Sequence, residues 1–176
     1  MAQLRELVVL LADDGTEIGE ADKATVHGTE TPLHLAFSCH VTNDRGELLV
    51  TRRALGKRTW PGVWTNSFCG HPAPGERLEE AVARRALEEL GLTLLDLALA
   101  LPDFRYIATD ASGVVENEIC PVYTASTADP VLPDPDEVAE FRWVDPTRLA
   151  LAVEAAPWAF SPWLTLQLPA LAAASS

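Results

Sequence analysis

At 176 residues the chain is long enough for one domain with a full hydrophobic core and too short for two of ordinary size. A hydrophobic fraction of 48% excludes a disordered polypeptide, and no apolar run reaches the roughly 18 to 20 residues that cross a bilayer. The formal net charge of -13 speaks against nonspecific binding of nucleic acid.

In chain order, Leu7–Leu11 reads as a short apolar strand closed by the turn residues Asp13, Asp14 and Gly15. No basic region precedes it and no cleavage-like site follows, so a strand is expected there and not a signal peptide. Leu33, Leu35, Phe37, Cys39 and Val41 alternate with His34, Ala36, Ser38 and His40, a period of two that predicts one strand with two distinct faces. Asn43-Asp44-Arg45-Gly46 supplies turn chemistry, and Glu47–Thr51 returns as the second arm of a hairpin. Trp60-Pro61-Gly62-Val63-Trp64 interrupts regular structure.

From Glu76 to Leu90 the period becomes helical, with Leu78, Ala81, Val82, Ala86 and Leu90 on one side and Glu80, Arg84 and Glu88 on another. Gly91 stands where a left-handed residue closes a helix. Further strands are expected at Phe104–Thr109 and Val114–Tyr123, joined by the turn Asp110–Gly113. The segment Asp129–Asp136 holds three prolines and reads as a loop; Phe141–Val144 is a short strand, and Asp145-Pro146 opens a helix with a cap followed by proline. The Ala-rich end from Pro169, about residues 170–176, is expected to fray. Without repeats or linkers, residues 1–176 read as a single α/β domain.

Four of the 13 Lys and Arg residues, Arg52, Arg53, Lys57 and Arg58, fall within seven positions; Arg84, Arg85 and Arg105 flank other motifs. Such clustering makes either a local field for an anionic ligand or a solvated basic turn. Cys39, Cys69 and Cys120 form an odd count without close pairing, which points to a reducing cytoplasm and not to a disulfide framework. Glu116 and Glu118 are two apart on an expected strand, so their carboxylates share a face, an arrangement that calls for a cation or a shared proton.

Gly70 is followed after five residues by Glu76, and after seven more by Arg84-Arg85-Ala86-Leu87-Glu88-Glu89-Leu90-Gly91-Leu92. This pattern resembles the Nudix box, a loop-helix-loop that binds divalent cations and holds a diphosphate. The resemblance implies a Nudix fold of the α+β kind, a mixed β-sheet packed between helices. Every fixed position of the box is matched except one, where Arg85 replaces a Glu that in hydrolases of the superfamily helps assemble metals and water. Arg85 carries a permanent positive charge and can grip a diphosphate bidentately, so the departure argues for binding a diphosphate without splitting it.

Further segments, among them Thr51-Arg52-Arg53-Ala54-Leu55, Trp64-Thr65-Asn66-Ser67, Cys69-Gly70-His71-Pro72, Phe104-Arg105-Tyr106, Val115-Glu116-Asn117-Glu118 and Pro157–Trp163, resemble the type 1 isopentenyl-diphosphate isomerases. The resemblance spans roughly residues 7 to 165. It implies interconversion of isopentenyl and dimethylallyl diphosphate through a metal-assisted protonation and deprotonation. By the same resemblance His27, His34, His71, Glu116 and Glu118 bind one divalent metal, a mixed nitrogen and oxygen set that suits manganese, zinc or ferrous iron. Glu89 holds magnesium bridging to the diphosphate, a hard ion on a hard oxygen.

Cys69 and Glu118 become the acid–base pair, with Tyr106 tuning the carboxylate and Trp163 offering its ring to a developing cation. Lys23, Arg53, Lys57 and Arg85 match the positions that hold the diphosphate, although the choice among Arg52, Arg53 and Arg58 stays open on the residues alone. His40, Cys39 and Cys120 are left as core residues. The expected partner is thus a small diphosphate, with no nucleic acid, no membrane and a monomeric chain. A Nudix hydrolase of a nucleoside diphosphate derivative and a noncatalytic diphosphate-binding module are the competing readings.

Overall fold

The computed structural model describes residues 6–174. β1 (Leu7–Leu11) occupies the predicted apolar run and buries Val8, Val9 and Leu11. It pairs antiparallel with β2 (Glu17–Asp22), an edge strand whose mostly exposed side chains left no alternating signal in the sequence. The Asp22 carboxylate then accepts from the Ala24 N–H at 2.9 Å and caps the single-turn helix α1 (Lys23–Val26).

The alternating stretch read as one strand from Leu33 is two, β3 (His34–Leu35) and β4 (Phe37–Thr42), which lie in different sheets. β5 (Leu48–Arg53) completes the expected hairpin, and the short strands β6 (Trp64–Thr65) and β7 (Phe68–Gly70) follow the Trp-Pro-Gly segment. Helix α2 (Leu78–Leu90) begins two residues later than its periodicity suggested, because Glu76 belongs to the turn before it. The Glu76 carboxylate accepts from the Ala73 N–H at 2.8 Å and from Arg84 at 2.8 Å. Gly91, at φ 67°, closes the helix as expected, its N–H returning to the last-turn carbonyls.

β8 (Leu95–Leu101) was not legible, being an edge strand of Leu, Ala and Asp, residues with little strand preference. β9 (Arg105–Thr109) lies as predicted, but the stretch expected as one strand from Val114 divides into β10 (Val115–Ile119) and β11 (Val122–Ser126). β12 (Val138–Val144) starts three residues before the expected Phe141. Asp145 caps α3 (Pro146–Ala155) by accepting from the Arg148 N–H at 3.0 Å, with proline in the first turn as predicted. The end of the chain corrects the expectation of a frayed tail: α4 (Pro162–Ala174) runs through Pro169, anchored by buried Trp163, Leu164 and Gln167. Tertiary burial and alanine's helix propensity outweigh the one missing N–H; only 175–176 of the predicted fray lies outside the described residues. No helix among the described residues is long and apolar enough to cross a membrane.

The first sheet has the order β2-β1-β3-β10-β9; the second has β12-β5-β4-β11-β8, with β6 added to β5 and β7 to β4. Both sheets are mixed, since β10 pairs parallel with β3 and β11 parallel with β4. Two neighbouring chain segments therefore cross from one sheet to the other together, at Ala36 and at Cys120-Pro121. The Ala36 N–H donates to the Ile119 carbonyl at 2.9 Å and the Ser38 N–H to the Pro121 carbonyl at 3.1 Å, which keeps the pair joined through the crossing. Pro121 itself has no N–H to give the ladder and falls where the sheets part.

Adjacent residues of β5 show how the second sheet is covered. Leu49 belongs to the cluster with Phe37, Phe68, Ala81, Val82, Ala86 and Leu90, whereas Val50 packs with Leu149, Val153 and Leu164. Because neighbours on a strand face opposite ways, α2 covers one face and α3 with α4 the other. Gly70 is needed where the loop before α2 meets this core: a Cβ there would lie 2.8 Å from Phe37 Cζ and 3.0 Å from Arg85 Cγ. Gly70→Ala is expected to cost about 1 to 3 kcal/mol through overpacking, read as a lowered midpoint of thermal unfolding; an unchanged midpoint would contradict this packing account.

His40 is buried under α4 and bonded to Gln167 at 2.9 Å, and burial pushes its pKa down to about 4. The folded protein thus keeps His40 neutral where an unfolded chain would already take up a proton. Stability is therefore expected to rise with pH between about 4 and the ordinary value near 6.5, and to be lost as pH falls through that window. Urea unfolding across pH 4 to 7 checks this, with His40→Gln flattening the profile by roughly the contribution of one histidine.

Candidate active site

Four side chains from separate elements converge at the junction of the two sheets. His27 closes α1, His34 opens β3, His71 follows β7, and Glu118 is the parallel register partner of His34 on β10. Their ligand atoms all lie within 4.8 Å of one another. That is close to the ~4.4 Å that separates opposite ligands around an ion with bonds of about 2.2 Å. Glu118 Oε1 stands 3.1 Å from His71 Nε2, 3.3 Å from His34 Nε2 and 4.0 Å from His27 Nε2.

The donor set fits a divalent cation. His27 Nε2, His34 Nε2 and His71 Nδ1 are buried without a hydrogen-bond partner, a costly state for imidazole nitrogens that a metal would relieve. Burial pushes Glu118 upward, but the three imidazoles of His27, His34 and His71 set around it more than reverse this and hold the carboxyl well below the usual range. His71 is pushed down to about 4 by its burial. For His34 the opposing burial is outweighed by Glu118, which raises it.

Glu116, expected among the ligands, lies outside this group of four. Its carboxyl accepts from Thr59 Oγ1 at 2.5 Å and stands 2.6 Å from Tyr106 Oη, which is also 2.9 Å from Glu118 Oε2. One phenol hydrogen serves one carboxylate at a time. The two contacts are satisfied together when Glu116 carries a proton and gives it to Tyr106 Oη while Tyr106 donates to Glu118. Burial, and then the Glu118 charge, raise Glu116 in the direction this requires. Tyr106 is itself held far above its ordinary value by burial and by both carboxylates, so the phenol stays a donor.

Cys69, on β7, lines the same cavity of about 570 Å³ as His27, His71, Tyr106, Glu116 and Glu118. Its Sγ lies 3.2 Å from Asn66 Oδ1 and 3.2 Å from Ser38 Oγ, and burial pushes the thiol up to about 12. Trp163 also lines the cavity, fixed by its Nε1–H to Asn66 Oδ1 at 2.9 Å. The Arg53 guanidinium is 5.4 Å from its ring, and Trp60 and Tyr106 flank it at 5.5 Å and 5.6 Å.

Lys23, Arg53, Lys57 and Arg85 all line this cavity, as does Glu89. Strand alternation separates the neighbouring arginines: Arg52 turns away to the Gly62 carbonyl and Glu140, while Arg53 enters the cavity and bonds the Thr59 carbonyl and hydroxyl. Arg58 is a cavity residue too. Arg85 pairs with Glu89 along the helix, with Glu88 at 3.1 Å and with Glu137 at 3.3 Å; Lys57 also pairs with Glu137. Burial, eased by Glu89 but deepened by Arg53 and Arg85, brings the Lys57 ammonium down to about 8. Glu137 and Thr59 were not singled out from the sequence, and no motif there marks them. Glu137 follows the proline loop, and Thr59 acts through the carbonyl and hydroxyl it presents.

This fold, with a box helix beside a cavity lined by cations and a histidine-carboxylate group, is that of a Nudix domain, and residues 32–164 match the family described as NUDIX domain. Solved structures agree on the fold. DR0079 from Deinococcus radiodurans superposes with a TM-score of 0.74 at 19% identity, covering 94% of this chain and 99% of that one. The MutT protein of Methanosarcina mazei Go1 gives 0.66 at 23% identity, covering 84% and 98%. Among curated proteins, the isopentenyl-diphosphate Delta-isomerase of Leifsonia xyli is 70% identical over 99% of this chain and 96% of its own length. That of Clavibacter sepedonicus is 69% identical over 97% and 90%. The chain belongs to the isopentenyl-diphosphate Delta-isomerase family of Nudix proteins.

Proposed function

We infer that the chain interconverts isopentenyl diphosphate and dimethylallyl diphosphate, as the names of its relatives state for them. The observation that carries the reading is one cavity lined both by Cys69 with the Glu116–Tyr106–Glu118 chain and by Lys23, Arg53, Lys57 and Arg85. Moving the double bond requires one proton added to the terminal alkene carbon and one removed from the carbon nearer the diphosphate. A tertiary cation develops between the two steps.

Cys69, which holds its proton at neutral pH, and Glu118, which is held ionised, are the two groups that exchange protons with the substrate. Tyr106 keeps a hydrogen bond on Glu118, and the Trp163 ring favours the developing positive charge by on the order of 1 to 2 kcal/mol. The four cations bind the diphosphate, which requires Glu137 to share or release Lys57 and Arg85. His27, His34, His71 and Glu118, with Glu116 nearby, would hold manganese, zinc or ferrous iron, and Glu89 would hold magnesium with the diphosphate. Bound there, such ions would supply positive charge to fix the carboxylates and neutralise the phosphates.

Arg85 occupies the box position of the hydrolytic carboxylate and is tied to Glu88, Glu89 and Glu137, which supports isomerisation over hydrolysis. The three free cysteines fit work in the cytoplasm, and residues 1–176 are read as one monomeric domain. Proton NMR of the purified protein with isopentenyl diphosphate, magnesium and manganese in deuterated water tests the reading. Dimethylallyl diphosphate bearing deuterium in its methyl groups is expected. No conversion, with phosphate released from a panel of nucleotides, would overturn it.

A further inference from the structure

Resting on the reading of Cys69 as one of the proton-exchanging pair, we propose that Ser38 is its positioning residue: the Ser38 hydroxyl hydrogen is aimed at Cys69 Sγ by a buried chain through Gln167 to His40. Ser38 is the antiparallel register partner of Cys69, and Ser38 and His40 share one face of β4. Gln167 Nε2 donates to Ser38 Oγ at 2.9 Å, and Gln167 Oε1 lies 2.9 Å from His40 Nε2. Ser38, Gln167 and His40 are all buried, so each polar atom needs its partner.

The hydrogens can be assigned around Cys69. Asn66 Nδ2 donates to the Cys39 and Phe68 carbonyls at 3.0 and 2.7 Å, so its Oδ1 is the acceptor that faces the thiol. The Cys69 S–H points there, at 3.2 Å. Ser38 Oγ has two acceptor sites and one hydrogen. With the Cys69 hydrogen on Asn66, the 3.2 Å contact between Ser38 Oγ and Cys69 Sγ is a hydrogen bond only with the Ser38 hydrogen in it, and Gln167 and the Cys120 thiol, 3.4 Å away, then face the two acceptor sites. A neutral His40 with its hydrogen on Nε2 donates to Gln167 Oε1 and turns the Gln167 amide the way this arrangement needs.

Asn66 offers the sulfur only an acceptor. When the S–H bond breaks and the proton joins the alkene carbon, the electron pair stays on Sγ, and the bond to Asn66 is lost with the proton. The Ser38 hydroxyl is aimed at the sulfur that then carries the charge. In the opposite direction of the reaction the same contact weakens as the sulfur regains its proton. Where Cys69 gives the proton, its contribution is therefore larger in the transition state than with that substrate merely bound, and in that direction it belongs in kcat and not in KM. The sequence marked Ser38 and His40 only as alternate residues of a strand, and Gln167 not at all.

Steady-state kinetics of the metal-loaded enzyme test this. Ser38→Ala is expected to lower kcat by about 10- to 100-fold, the weight of one hydrogen bond to a developing charge, with KM within about threefold of wild type. Ser38→Thr keeps the hydroxyl and is expected to restore most of kcat. Ser38→Cys, assayed with a thiol reductant so that no disulfide forms with Cys69, replaces a strong donor by a weak one and is expected to fall with Ser38→Ala. Wild-type kcat in Ser38→Cys or Ser38→Ala overturns the proposal, and so does a joint loss of kcat and KM that Ser38→Thr fails to restore. Cys69→Ala separates this from the reading beneath it: if that variant still turns over, the role of Cys69 falls first, whereas a dead Cys69→Ala beside a fully active Ser38→Ala removes only Ser38.

Discussion

Cys69→Ala is expected to bind isopentenyl diphosphate within about threefold of wild type while kcat falls by about 10³-fold. The two halves of the prediction have separate causes. Binding rests on Lys23, Arg53, Lys57 and Arg85, whereas the Cys69 thiol is bonded to Asn66 and Ser38. Removing one sulfur leaves those cations and their charge-assisted contacts in place. Turnover depends on a group that holds a proton at neutral pH and can give it up inside a dry site. Cys69 meets the first condition because burial pushes it up to about 12. Alanine has no proton to exchange, and the variant would rely on water, which the cavity must limit to protect a cationic intermediate. The check is a turnover assay beside a direct binding measurement such as calorimetry. Near wild-type turnover would remove Cys69 from the chemistry, and a lost binding signal would mean that the sulfur shapes the cavity instead.

The sequence carried this fold unevenly, and the reason is the range over which each feature is determined. The Gly70–Leu92 pattern is local, and its helix, its Gly91 cap and the pairing of Arg84 with Glu88 and Arg85 with Glu89 all follow from spacing along a single helix. The division of two expected strands at Ala36 and at Cys120-Pro121 is not local. Alternation continues straight through Ala36, and only pairing with a distant segment decides which sheet each half joins. β2 and β8 lie at sheet edges with many exposed side chains, so burial imprinted little pattern on them.

The candidate site divides in the same way. Glu116 and Glu118 were visible as a pair on one strand face, but their different environments were not. Thr59 and Tyr106 reach Glu116 from other segments, and three histidines from three elements surround Glu118. His27, His34 and His71 had no spacing that would mark a ligand set without a known family to compare. Glu137 is invisible for a related reason, since its meaning lies in Lys57 and Arg85 and not in its own neighbours.

Glu118→Gln is expected to lose bound manganese, zinc or ferrous iron by about 100-fold in affinity, together with most turnover, while Glu116→Gln loses less metal. The ranking comes from position. Glu118 Oε1 is the one carboxylate oxygen set among all three imidazoles, whose nitrogens lie 3.1 to 4.0 Å away. Replacing it with an amide removes a full negative charge from a buried group whose other members are neutral or positive, and a divalent ion loses its only nearby anionic partner within that group. Glu116 is held off by Thr59 and Tyr106, and the geometry suits a protonated carboxyl, which glutamine imitates in shape and charge. Each variant, loaded with metal and dialysed, can be assayed for metal per chain by mass spectrometry. Retention in Glu118→Gln equal to wild type would dismantle the four-residue centre. A loss in Glu116→Gln as large as in Glu118→Gln would mean that Glu116 gives up its proton and turns to the metal, making the ligand set five residues, as the family resemblance implied.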